Sequence, residues 1–289
     1  MPFIDLAGSP LANGISPVRI HYRDAGAGPP IVFLHSGWGY EIYPFDRQAA
    51  AFEPCHRIVA PDRSGYGKST AIESLPPDFH ARAADETRAV IEALGLQRPV
   101  VWGHSDGAII GLLLALRAPA IVRGVIAEAT HFYRRKPRSR AFFESMADDP
   151  QALGDGVIGV LARDHGARWP DVIGRHARAW QRIAEDAASD SDDFYGGRLG
   201  EIAVPALLVH GARDPRTEPA EIEAMEGAFE SARGVRLQAD LAGGPAKAGR
   251  HVQLTVLAAG GHSPHSEPAT ADDVARHARS FMDGLRDAD

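Results

Sequence analysis

The sequence predicts an α/β fold: a mostly parallel, twisted sheet with helices on both faces and an inserted helical lid. Three observations predict it. Short apolar runs bounded by turn residues alternate with longer helical runs along most of the chain. One such strand passes into one such helix through Gly103-His104-Ser105-Asp106-Gly107, a turn tight enough to need glycine on either side of a serine. Between His131 and about Gly200 the alternation stops and only helical patterns remain, after which it resumes.

Taken in order, Val18–Tyr22 alternates like a half-exposed strand, and Gly26–Pro30 makes a turn. Ile31–Leu34 is continuously apolar, as a buried parallel strand should be, and ends in the loop His35-Ser36-Gly37-Trp38-Gly39. A helix over about Pro44–Phe52 precedes the strand Arg57–Ala60, and glycines mark Pro61–Ser69 as a loop. Asp78–Leu94 reads as an amphipathic helix with Thr87, Val90, Ile91 and Leu94 on one face, capped by Gly95. Pro99–Trp102 is a short strand. Ala108–Leu116, apolar on every face, is a buried helix. Val122–Ala127 and Val204–Val209 are further strands. A helix near Pro219–Phe229, a strand at His251–Leu257 and a helix over Thr270–Leu285 complete the pattern. Residues 1–130 and 203–289 therefore form two parts of one α/β core. Residues 131–202 form a helical lid above the carboxyl edge of the sheet, where α/β folds bind ligands. The Gly/Pro/Ala-rich stretch Ala242–Gly249 is expected to be a flexible surface insertion.

Composition narrows the class. With 44% hydrophobic and 24% charged residues, the chain reads as an ordinary globular protein. A net charge of −7 argues against a nucleic-acid or anionic-membrane partner and leaves a small-molecule substrate. The basic cluster Arg134–Arg140 is expected to be a solvated approach to a helix, offset by Asp190–Asp193. Cys55 alone cannot form an intramolecular disulfide, and no Cys/His spacing suits zinc, so neither metal nor cofactor is expected. Met1–Asp5 lacks the basic and apolar regions of a secretory signal, and the apolar run Ile109–Leu116 is too short to span a bilayer. A cytoplasmic location is the expectation.

The chemistry centres on Ser105. A serine at the tip of a strand-to-helix turn presents its hydroxyl beside outward-pointing main-chain N–H groups, which favour an anion. Serine needs a base to become a nucleophile, and the base needs an orienting group. Asp214 follows the strand ending at Val209, in His210-Gly211-Ala212-Arg213-Asp214-Pro215. His262 follows the strand ending at Leu257, in Gly260-Gly261-His262-Ser263-Pro264-His265.

Those motifs, together with Leu34–Gly39 and Pro61–Ser69, make the chain resemble the lid-bearing α/β-hydrolases, a superfamily that includes serine esterases, epoxide hydrolases and C–C hydrolases. The resemblance covers about residues 18–130 and 203–286, and it implies an α/β-hydrolase fold. It also implies the order Ser105, Asp214, His262, with Ser105 as nucleophile, His262 as base and Asp214 as its orienting acid. The oxyanion hole would be the main-chain N–H groups of Gly37 and Asp106. Glu128 is a rival acid and His265 a rival base; the family pattern selects Asp214 and His262. Ser36 and Ser64 stand where the family commonly has glycine. Substrate contacts are expected from Trp38, Tyr40, His131, Phe132 and His265.

Serine at the tip, with Asp106 one position beyond it, argues against the dehalogenase and epoxide hydrolase chemistries, which use aspartate there. The expected activity is hydrolysis of a carboxylic ester, a lactone or a related acyl substrate. A C–C hydrolase acting on a β-diketone or ring-cleavage product is the alternative, and a catalytically idle ligand-binding protein is a third reading.

Overall fold

The computed structural model describes residues 2–233 and 252–286. Its strands are β1 (Phe3–Leu6), β2 (Val18–Ala25), β3 (Pro30–Leu34), β4 (Arg57–Pro61), β5 (Val100–His104), β6 (Gly124–Glu128), β7 (Ala206–Gly211) and β8 (Val252–Leu257). Its helices are α1 (Asp46–Phe52), α2 (Phe79–Ala93), α3 (Asp106–Arg117), α4 (Arg140–Asp148), α5 (Asp155–His165), α6 (Trp169–Asp186), α7 (Pro219–Arg233) and α8 (Ala271–Arg286). The strands form one eight-stranded sheet in the order β1-β2-β4-β3-β5-β6-β7-β8. β2 runs antiparallel to both β1 and β4, and β4 through β8 are mutually parallel.

The central strands are apolar except near their carboxyl ends, at His104, Glu128 and His210, because both their faces are covered. Alternate residues go to opposite sides. Val32, Leu34, Val101, Val125 and Leu208 join the core beneath α2, α3 and α7. Ile31, Phe33, Val100, Trp102, Ile126 and Leu207 join the other core, against α1 and α8. Helix α8 buries Val274, Ala278, Phe281, Met282 and Leu285, a stripe at helical spacing. Helix α3 is buried from Asp106 to Ala115, which accounts for its apolar residues on every face. Gly95, just past α2, takes φ +63°, the left-handed cap that the helix pattern implied.

Two features escape the hydrophobic pattern. β1 is a four-residue edge strand in which Leu6 is buried and Phe3 exposed, too short to show a period. Within the otherwise helical stretch between β6 and β7, Tyr133 pairs with Asp193 in an isolated antiparallel bridge. The stretch Ala242–Gly249 and the residue His251 lie outside the described residues. Among the described residues no helix is long and apolar enough to cross a membrane.

Candidate active site

The turn between β5 and α3 is built by exclusion. A Cβ on Gly103 would lie 2.1 Å from the Gly107 carbonyl oxygen, and one on Gly107 would lie 2.1 Å from that of Leu34. Both positions therefore need glycine. Ser105, between them, is forced to φ 53° and ψ −117°. That conformation costs a residue with a Cβ on the order of 1–3 kcal/mol. Its main-chain N–H donates to the Glu128 carbonyl at 2.9 Å, so the β5–β6 pairing holds the strained turn in place.

Two other strand ends converge on it. His262, in the loop after β8, brings Nε2 to 3.2 Å from Ser105 Oγ. Its Nδ1 lies 2.9 and 3.1 Å from the two carboxylate oxygens of Asp214, in the loop after β7. Asp214 also accepts the Arg216 main-chain N–H at 2.7 Å and the Thr217 hydroxyl at 2.8 Å. Burial acts to raise the Asp214 carboxyl. The hydrogen bond and charge of His262, with the Arg216 N–H, outweigh it and hold the group far below the usual carboxylate range. Asp214 is thus an anion fixed at Nδ1 of the imidazole, with the serine hydroxyl at Nε2.

Glu128 is spent elsewhere. Fully buried at the end of β6, it accepts the Trp102 indole N–H and lies 3.2 Å from His265 Nδ1. His265 is fully buried too, with Nε2 3.1 Å from the Tyr43 carbonyl oxygen and its ring stacked on Phe45 at 4.1 Å. Neither side chain of this second acid–histidine pair has a hydrogen bond to Ser105 or His262 among the described residues.

Gly37 and Asp106 both border the cleft in front of Ser105. Neither main-chain N–H has a protein acceptor among the described residues. Gly37 admits no side chain, since a Cβ there would lie 2.1 Å from His176 Nε2 and 2.8 Å from Asp106 Oδ2. Arg63 braces this loop by donating to the carbonyls of His35 at 2.6 Å and Ser36 at 2.8 Å. Its neighbour Asp62 faces His21, Arg23 and the Lys68 N–H instead. Ser36, where glycine is common in the family, is buried and turns its hydroxyl back onto its own loop, 3.4 Å from both the Trp38 nitrogen and the Gly39 carbonyl oxygen.

The enclosed space of the cleft is small, about 50 Å³. Trp38 and His131 line it, as do Tyr43, Phe143, Trp180 and Arg216. Tyr40, Phe132 and His265, expected to contact substrate, are not among the residues that line it. The Tyr40 hydroxyl donates to Asp46 at 2.9 Å, and its ring packs beneath the Arg23 guanidinium at 3.8 Å. Phe132 packs on Tyr133 and Tyr195 while its main-chain N–H donates to Glu221 at 2.8 Å.

The basic cluster also departs from expectation. Arg134 and Arg135 do pair with Asp192 and Asp190 near the surface. Lys136, by contrast, is buried at the cleft wall in an ion pair with Glu221, and its Nζ lies 3.1 Å from His131 Nδ1. His131 stacks on His262 at 5.8 Å, and burial pulls it down to about 4, leaving it neutral at neutral pH. Lys136, Arg216, His176 and Trp180 carry no local motif. Each is delivered to the cleft by the packing of the helical stretch or by the loop after β7. Among the described residues no group of three or more potential ligands could hold a metal ion.

Comparison with known proteins shows the family to which this fold belongs. Residues 31–276 match the sequence profile described as the Alpha/beta hydrolase family. A human protein described as serine hydrolase BPHL is 24% identical over 212 residues, covering 70% of this chain and 69% of its own. A haloalkane dehalogenase of Mycolicibacterium paratuberculosis is 27% identical over 237 residues, covering 74% of this chain and 78% of its own. Among solved structures, a thermophilic esterase from Thermogutta terrifontis superposes with a TM-score of 0.71, covering 99% of both chains at 18% identity. That last likeness speaks to the fold alone.

Proposed function

This chain belongs to the alpha/beta hydrolase family, and from that premise we propose that it is a serine hydrolase cleaving a carboxylic ester, lactone or related acyl substrate. The observation that carries the reading is the line of contacts from Asp214 through His262 to Ser105, at 2.9 and 3.2 Å. A serine at the tip of the turn also sets the chain apart in chemistry from relatives that act on alkyl halides.

In this reading Ser105 Oγ attacks the substrate carbonyl and gives its proton to His262 Nε2. Asp214 keeps the imidazole oriented and stabilises the imidazolium. The oxyanion is met by the main-chain N–H groups of Gly37 and Asp106, a type of donor worth on the order of 2.7–4 kcal/mol when one is removed. The tetrahedral intermediate collapses, the leaving oxygen takes the proton from His262, and an acyl-serine remains. Water then attacks the acyl group with His262 as base, releasing the acid and restoring Ser105. Residues 131–202 act as a lid over this chemistry, with Trp38 and His131 facing the substrate.

Intact-protein mass spectrometry after treatment with a fluorophosphonate tests the reading. One stoichiometric adduct on the wild type, absent from Ser105→Ala, is expected. An unlabelled wild type, or a label that persists in the variant, overturns it. A panel pairing aryl esters with β-diketones then separates ester from C–C bond cleavage, and turnover of the esters alone is expected.

A further inference from the structure

The carboxylate, ammonium and imidazole groups bordering the cleft have side-chain partners, and among the described residues the one guanidinium does not. His262 faces Asp214, His176 faces Asp106 and Lys136 faces Glu221. The guanidinium of Arg216 has no hydrogen bond or ion pair among the described residues, although it is half-buried and lines the cleft. Its Cζ lies 3.5 Å from the centroid of the Phe142 ring, which itself stacks on Trp38 at 5.6 Å. Asp214, a nearby carboxylate, is already occupied by His262, Thr217 and the main-chain N–H of Arg216. A half-buried guanidinium at the cleft wall with no side-chain acceptor of its own has its donors open to an anionic ligand.

We propose that Arg216 is a specificity-determining residue that docks a carboxylate borne by the substrate. The substrate class is then an ester or lactone that carries a free carboxylate elsewhere in the molecule. This deepens the serine hydrolase reading and rests on it. A carboxylate suits the site better than a phosphate dianion. One guanidinium offers a planar fork that matches a carboxylate with two parallel hydrogen bonds, and no second unpaired cation borders the cleft among the described residues. The stack on Phe142 holds the guanidinium in the cleft before substrate arrives, which reduces the ordering cost of binding.

The test compares 4-nitrophenyl hexanoate with mono-4-nitrophenyl adipate, esters of similar length that differ in a terminal carboxylate. Both are assayed on the wild type, Arg216→Met and Arg216→Lys. Arg216→Met keeps the main-chain N–H that binds Asp214. The wild type is expected to favour the adipate. In Arg216→Met the ratio of kcat/KM for adipate over hexanoate falls roughly ten- to hundredfold, chiefly through KM for the adipate. Arg216→Lys restores part of the ratio. A ratio unchanged in Arg216→Met, with both esters slowed in parallel, overturns the proposal and makes Arg216 a support for Asp214. A second readout needs no turnover: adipate is titrated into Ser105→Ala protein and followed by tryptophan fluorescence, since Trp38 and Trp180 border the cleft. Saturable quenching that is lost on adding Arg216→Met supports the anion subsite even if neither ester is hydrolysed, and that combination defeats the hydrolase reading alone. Quenching that survives Arg216→Met overturns the subsite.

Discussion

The carboxylate of Asp106, one residue beyond Ser105, lies 2.8 Å from Nε2 of His176 on helix α6. His80 of α2 brings its Nε2 to 3.1 Å from the other oxygen. The residue whose N–H borders the cleft is thus tied through its side chain to α6, whose His176 and Trp180 line it. The tie is fully buried. It makes the seating of α6 and the placement of the Asp106 N–H one mechanical unit.

Asp106→Asn is therefore expected to lower stability by about 1–3 kcal/mol, seen as a Tm reduced by several degrees. Burial acts to raise this carboxyl, but the charge of His176 and His80 and the His176 hydrogen bond hold it well below its ordinary value. A carboxyl depressed in the folded state contributes stability that is complete above its unfolded pKa, roughly 3.9, and is lost as pH falls toward the folded value. The Tm of the wild type should accordingly drop more steeply than that of Asp106→Asn below about pH 4. Parallel Tm curves for the two proteins across that range would refute the coupling.

Asp214→Asn should reduce kcat by roughly three to four orders of magnitude while leaving the fold intact, because the amide cannot hold the imidazole in the required tautomer. Glu128 cannot compensate. Its carboxylate is committed to Trp102 and His265 inside the core. Glu128→Gln should instead lower Tm and reduce fluorophosphonate labelling of Ser105 far less than Asp214→Asn does. Equal losses of labelling in the two variants would mean that both acids serve His262.

Ser105→Gly separates strain from chemistry. At φ 53° and ψ −117° the serine pays for its place at the tip, whereas glycine adopts such angles freely. The variant should lose hydrolysis and fluorophosphonate labelling yet melt at a temperature equal to or above that of Ser105→Ala. Calorimetry of the two variants decides it, and a lower Tm for Ser105→Gly counts against stored strain.

Gly37→Ala is expected to be severe for its size. The added methyl would lie 2.1 Å from His176 Nε2, so either the loop or α6 must move. Displacing one oxyanion donor should lower kcat about 100- to 1000-fold with a smaller change in KM. Steady-state kinetics on 4-nitrophenyl hexanoate measures it. A KM effect alone would assign Gly37 to ground-state binding.

What the chain determined by itself is what local spacing and periodicity encode. The parallel core was legible because doubly covered strands must be apolar throughout, as in Ile31–Leu34 and Pro99–Trp102. The meeting of Ser105, Asp214 and His262 was legible because each follows a strand that ends at the same edge of the sheet. The two glycines around Ser105 left that turn little alternative. Tertiary structure decided whatever depends on which neighbour wins a side chain. Tyr40, Phe132 and His265 read as substrate contacts, but none lines the cleft, and Asp46, Glu221 with Tyr195, and Glu128 are their partners in the fold. Lys136 reads as one cation in a solvated basic run, and only the approach of Glu221, 85 residues later, makes its burial tolerable. Arg216 and His176 reach the cleft by helix packing and loop path, which no periodicity records. Pairwise contacts between residues distant in sequence set the walls of the site, while the strand-end positions of its centre follow from the order of the elements alone.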